Sequence, residues 1–286
     1  MNRIYSIAIL ILCMGVTAFA QLSLPRESQR QEIAQTIGDT KVTIVYHRPN
    51  TKARKVWGGL VPYGEVWRTG ANENTTIEFT RDVTINGKPL PAGKYGFHAI
   101  PTEKDWTLIF NKVNDAWGSF TYKQENDALR VMAVPVKTTD THETLAYEFD
   151  DVTADSALIS LSWEKLSVPF TVNIGDVQGR MLAQIDDAIK NRKADDVRPL
   201  NQGAGYVLTY KINDRYNDAI GWLDTSLSAR QNFGTLVTKA RLLEQMGRTA
   251  DAIAAGEAAI TFGKAQTPPA NTADIERFVA QWKAKK

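Results

Sequence analysis

The stretch Val83-Thr84-Ile85-Asn86-Gly87-Lys88-Pro89-Leu90-Pro91-Ala92-Gly93-Lys94-Tyr95-Gly96-Phe97-His98-Ala99 decides the fold class of the first half of the chain. Val83 and Ile85 share one parity. Asn86-Gly87 is the dipeptide of a type I′ turn, whose two central residues both need positive φ. Leu90 resumes the apolar parity, and Pro91-Ala92-Gly93 is a second turn signal. Tyr95, Phe97 and Ala99 then alternate with Gly96 and His98, as on a strand with one buried face.

The same period extends outward. Val42, Ile44 and Tyr46 alternate with Thr43, Val45 and His47, and Ile77 and Phe79 with Thr76 and Glu78. Beyond Ala99 come Trp106, Leu108 and Phe110, then Leu129, Val131 and Ala133, then Leu145, Tyr147 and Phe149. Ala157, Ile159, Leu161 and Trp163, and finally Val168, Phe170 and Val172, complete the set. These make about nine or ten short strands between positions 24 and 174, with no helical segment among them, which argues against βαβ units. The expected solution is an antiparallel, jelly-roll-like β-sandwich.

After Ile174 the period becomes helical: Met181, Ile185 and Ile189 share a face, as do Ile220, Leu223 and Leu227. Six helices are expected, over about 177–193, 197–213, 216–230, 232–246, 249–263 and 271–284, with Gly247 as a C′ residue and Asn271 as an N-cap. Arg215-Tyr216-Asn217-Asp218-Ala219-Ile220 aligns with Arg248-Thr249-Ala250-Asp251-Ala252-Ile253, a shift of 33 residues. That period is close to the tetratricopeptide repeat of about 34 residues. A tetratricopeptide-like array of about three hairpins is one reading, and an ordinary helical bundle with a chance echo is the other.

Composition bounds the function classes. Of 286 residues, 43% are apolar and 23% charged, so disorder is excluded, and a net charge of +2 gives no general footprint for nucleic acid. Arg3, the apolar run from Ile7 to Ala20 and Ala18-Phe19-Ala20 read as a signal peptide over 1–20, too short to span a membrane. The mature protein then starts at Gln21, exported to a periplasmic or extracellular destination, with a β-domain over 21–174 and a helical domain over 175–286. No transmembrane segment is expected. The single cysteine, Cys13, falls in the removed segment, so neither disulfide nor thiolate chemistry is expected.

One block is distinctive. Tyr46-His47-Arg48-Pro49 leads to Val56-Trp57-Gly58-Gly59-Leu60-Val61-Pro62-Tyr63-Gly64-Glu65-Val66-Trp67-Arg68-Thr69-Gly70-Ala71-Asn72-Glu73. Leu90-Pro91-Ala92-Gly93-Lys94-Tyr95, Phe110-Asn111-Lys112, Trp117-Gly118 and Trp163-Glu164-Lys165 continue it. Over about residues 25–173 the chain resembles the domain of unknown function 2911 family of exported bacterial proteins. The resemblance implies a secreted β-rich domain and carries over no site residues.

The segment from Arg48 to Glu73 hardly alternates, and long ordered loops often carry function. Its Arg48, Trp67, Arg68, Asn72 and Glu73, with His47 and His98 on the outward parity of their strands, are the candidate ligand-binding residues. Aromatic faces beside guanidinium, amide and carboxylate groups suit a polar small molecule, a glycan or a peptide. The other reading has the loop closing one end of the sandwich, its tryptophans plugging the core. Trp106 and Trp163 are assigned to the core by parity. If adjacent strands bring His47 and His98 together, Glu73 or Glu78 would complete a metal triad, but no metal-site spacing is present. The sequence contains no GxSxG, P-loop or GxGxxG, and no cofactor is expected. The reading is an exported, non-catalytic binding protein whose helical region takes a protein partner. The alternative is a secreted hydrolase of glycans or other envelope polymers, acting through carboxylates or a His metal site.

Overall fold

The computed structural model describes residues 24–284, so the signal segment, Cys13 and the start at Gln21 lie outside the described residues. The Asn86-Gly87 turn forms as read: both residues have positive φ, and Val83–Ile85 (β4) pairs with Lys88–Leu90 (β5) across it. Among the described residues, two antiparallel sheets contain ten strands. The larger runs Gln29–Ile37 (β1), Thr40–Arg48 (β2), Thr75–Phe79 (β3), Gly93–Pro101 (β6), Trp106–Asn111 (β7) and Asp127–Ala133 (β8), in the order β1-β2-β3-β6-β7-β8. The smaller has the order β5-β4-β10-β9, with Val136–Asp150 as β9 and Ser156–Asn173 as β10.

Two strands differ from the sequence reading. β1 escaped it because Gln29-Arg30-Gln31-Glu32 is polar on both parities; the strand is an edge held by its hairpin with β2. The two expected strands at 157–163 and 168–172 are one. Register shifts around Glu164, whose φ is +56°, bend β10 without ending it.

The core lies between the sheets, where period two buries one face of each. Phe97 of β6 meets Phe170 of β10 at 5.5 Å, and Tyr46 of β2 meets Tyr147 of β9 at 4.7 Å between ring centroids. Tyr46, Phe97, Phe110, Trp106 and Trp163 are all buried, as their parity requires.

At Gly175 and Asp176 the chain passes into a second compact unit. It comprises Val177–Lys190 (α1), Arg198–Thr209 (α2), Tyr216–Ala229 (α3), Phe233–Gln245 (α4), Thr249–Lys264 (α5) and Ala273–Ala284 (α6). Asp176 caps α1 by accepting from Gly179 N at 2.8 Å, and Asn232 caps α4 by accepting from Thr235 N at 3.1 Å. Gly247 follows α4 with φ of +73°. The echoed residues share burial and pairing. Ala219 and Ala252 are fully buried, and Arg215 and Arg248 each pair with the aspartate three residues on. The echo weakens at the following helix: Pro268-Pro269 is poorly suited to a helix interior, and α6 starts only at Ala273. No helix among the described residues is long and apolar enough to cross a membrane.

Each unit has its own core, so each should fold by itself. Residues 24–175 produced alone should give a β-type circular dichroism spectrum and one cooperative thermal transition. A fragment lacking that transition would show that the β-unit depends on the helices.

Candidate functional site

The long loop is ordered by four indoles. Trp57 and Trp67 come from the loop, Trp106 from β7 and Trp163 from β10. Trp57 lies 4.9 Å from Trp106 and 5.8 Å from Trp163, and Trp67 stacks on Trp163 at 6.0 Å. Trp67 also exchanges two 2.8 Å backbone hydrogen bonds with Ala99 of β6. Two residues on, Thr69 is fully buried with φ of +53°. Its hydroxyl donates to the Phe97 carbonyl at 3.0 Å, and its own carbonyl accepts from Tyr147 at 3.0 Å and Thr75 at 3.1 Å.

A strap at 112–126 crosses the outer face of the large sheet. Asn74 N donates to the Ala116 carbonyl and Gly118 N to the Asn72 carbonyl, at 3.0 and 3.1 Å. Asp127 ties down the far end by accepting from Asn111, Tyr122 and Arg130, each at 2.7 Å. Gly96 is required beneath the strap: a Cβ there would stand 2.3 Å from the Val113 carbonyl.

The strap corrects one expectation. His47 and His98 do point away from the intersheet core, but they are buried, at 8% and 3% exposure, under the strap and its neighbours. They also do not meet. β3 lies between β2 and β6, so the two histidines are not on adjacent strands. Among the described residues no cluster of three His, Cys, Asp or Glu could hold a metal ion.

Each histidine has a defined setting. His98 Nδ1 is 3.0 Å from Ser119 Oγ, and its ring packs on Tyr122. Burial holds its pKa down to about 4, against a smaller upward pull from Asp127. His47 Nε2 lies 3.4 Å from Glu73 Oε2. Burial lowers its pKa first; Glu73 opposes this and Arg26, Arg30 and Arg68 add to it. Arg26 Nη1 donates to both Glu73 oxygens, at 2.7 and 2.6 Å, and that hydrogen bonding lowers the Glu73 pKa.

Two cavities flank the strap. The larger, about 690 Å³, has His47, Val45 and Thr76 on its sheet side, with Arg26, Arg30, Glu73, Asn74, Lys94, Asn114 and Asp115 around them. The smaller, about 320 Å³, lies where Trp67 and Arg68 meet Ser119 and Phe120.

The expected site residues therefore separate. His47 and Glu73 line the larger cavity, and Trp67 and Arg68 the smaller. His98 lies under the strap and lines neither of the two. Asn72, with φ of +57°, supports the rim by donating to the Ser28 carbonyl. Arg48 points elsewhere: its Nε donates to the Leu145 carbonyl at 3.0 Å and braces β2 to β9. Sequence reasoning missed Arg26, Lys94 and the whole strap. Lys94 was legible as the outward neighbour of Tyr95, and the strap as a second stretch without alternation.

A family model described as Protein of unknown function (DUF2911) matches residues 28–172, half of the chain, including the larger cavity's strand residues, the smaller cavity's lining and the strap. No curated protein and no solved structure matches the chain.

His98 is held neutral by burial, which fixes the sign of its pH effect. Its folded-state pKa lies below the ordinary 6.5, so it stabilises the fold above pH 6.5, and that contribution is lost as pH falls through about 4. Linkage makes this on the order of 3 kcal/mol. By NMR the His98 ring should titrate with a midpoint near 4; a midpoint near 6.5 would contradict its burial.

Proposed function

The chain belongs to the DUF2911 family, and on that premise we propose that it is an exported, non-catalytic binding protein. In this reading the sandwich, jelly-roll-like in its winding, takes a polar organic ligand such as a glycan or peptide fragment. Residues 1–20 direct it to the periplasm or beyond. The helical unit is a tetratricopeptide-like array that takes a protein partner. The equivalent burial of Ala219 and Ala252 and the equivalent arginine–aspartate pairs support a repeat.

One observation carries the binding reading. The cavity of about 690 Å³ falls in the size range of small-ligand sites, and charged and amide side chains of both signs border it. Arg26, Arg30 and Lys94 suit acidic or hydroxyl oxygens, and Glu73, Asp115 and Asn114 suit donors. The hydrolase alternative gains less support. Glu73 is hydrogen-bonded to Arg26 in the larger cavity, and Glu65 lies apart from it in the smaller one. His98 next to Ser119 is too weakly basic, at about 4, to serve well as a general base at neutral pH.

The test is calorimetry of the chain from residue 21 onward against neutral oligosaccharides, acidic oligosaccharides and short peptides. At least one class should bind without being cleaved. Lys94 is exposed, so Lys94→Ala should leave the fold intact and weaken binding about tenfold. Binding by none of the classes, or binding unchanged by Lys94→Ala and His47→Gln, would overturn this reading. Cleavage of an oligosaccharide would favour the hydrolase.

A further inference from the structure

The smaller cavity differs in chemistry from the larger one and stands on separate observations. Leu60, Val66, Trp67 and Phe120 give it apolar walls. Phe120 is 85% exposed and Leu60 44%, so two large apolar side chains are presented at its rim. Arg68 lines the same space. Its Nε is buried without a hydrogen-bond partner, and among the described residues no carboxylate pairs with the guanidinium. Leaving a partly buried guanidinium without a counter-charge is costly, and an incoming anion relieves that cost.

Gly118 brings the cation and the ring together. With φ of +67°, it sits where a Cβ would stand 2.9 Å from the Phe120 ring and 3.5 Å from Arg68 Nη1. The guanidinium and the exposed ring therefore flank one point on the strap. Glu65 supplies the one carboxylate of the lining. It repels a multiply charged anion more than a singly charged one.

We propose that this pocket binds a small organic acid: a single carboxylate on the Arg68 guanidinium, with an apolar body about the size of one ring against Trp67 and Phe120. A guanidinium fork matches a carboxylate. A volume of about 320 Å³ holds a ring and a short acid arm, not a polymer segment. This site is independent of the polar-ligand reading of the larger cavity.

The experiment titrates the chain from residue 21 onward with phenylacetate, with the isosteric neutral phenylacetamide and with inorganic phosphate, by ligand-observed NMR. Phenylacetate should bind, phenylacetamide should bind about tenfold more weakly, and phosphate should not displace the acid. Arg68→Gln should abolish the preference for acid over amide. Phe120→Ala, at an exposed position, should weaken the acid about threefold or more with unchanged thermal stability. Lys94→Ala in the larger cavity should leave phenylacetate binding unchanged. Equal binding of acid and amide, no binding of the acid at millimolar concentration, or displacement by phosphate would overturn the proposal. So would loss of binding in Lys94→Ala but not in Phe120→Ala, which would place the acid in the larger cavity and leave that cavity's reading standing. If Arg68→Gln fails to fold, the acid–amide comparison and Phe120→Ala decide.

Discussion

The carbonyl of Thr69 accepts hydroxyl protons from Tyr147 and Thr75, and the geometry of the outer face follows from that junction. Thr69 is fully buried in a left-handed backbone conformation, which costs of order 1–3 kcal/mol and persists only where its surroundings hold it. Its partners come from β9, β3 and, through its own hydroxyl, β6, so one residue ties the loop to both sheets. Arg68 precedes it, and Gly70 to Glu73 follow it toward the strap. Gly70 has no room for a side chain, since a Cβ would stand 2.8 Å from Thr75 Oγ1 and 3.1 Å from the His47 carbonyl. Each functional candidate on the loop is thus positioned by a buried neighbour.

The outer face is electrostatically uneven because burial is uneven. Burial holds the His98 pKa down to about 4 and lowers that of His47, where Glu73 opposes it. Arg68, half-buried, keeps its charge because a guanidinium stays protonated even when desolvation lowers its pKa. Glu73 is matched by Arg26 in an exposed pair that solvent screens. The strap divides these groups into a polar cavity with charges of both signs and a second one where Arg68 and Glu65 stand beside apolar walls.

The parities of Val42, Phe97 and Phe170 made the sandwich legible, since period two has one meaning when one face is buried. The helices were legible because apolar spacing and end signals agree, as at Gly247. Arg68 and Glu73 stood out as charges in an aromatic segment, yet they border different cavities. That separation depends on β3 lying between β2 and β6 and on the strap, both long-range features that no local period encodes. Arg48 misled for the same reason: a charged residue at a strand end reads as a site residue until the facing sheet supplies the Leu145 carbonyl. β1 and the strap carry too little alternation to be recognised without the sheet beneath them.

Both cavities depend on the 49–74 segment being a fixed part of the sandwich rather than a mobile loop. Amide hydrogen exchange on the full chain tests this directly. The Trp67 amide bonds to Ala99, Asn74 to Ala116 and Thr75 to Arg68. If the segment is built in, these amides exchange as slowly as those of β3 and β6, opening only with the whole β-unit. Exchange of Trp67, Asn74 and Thr75 at the rate of exposed turns, while β3 and β6 stay protected, would contradict a preformed site.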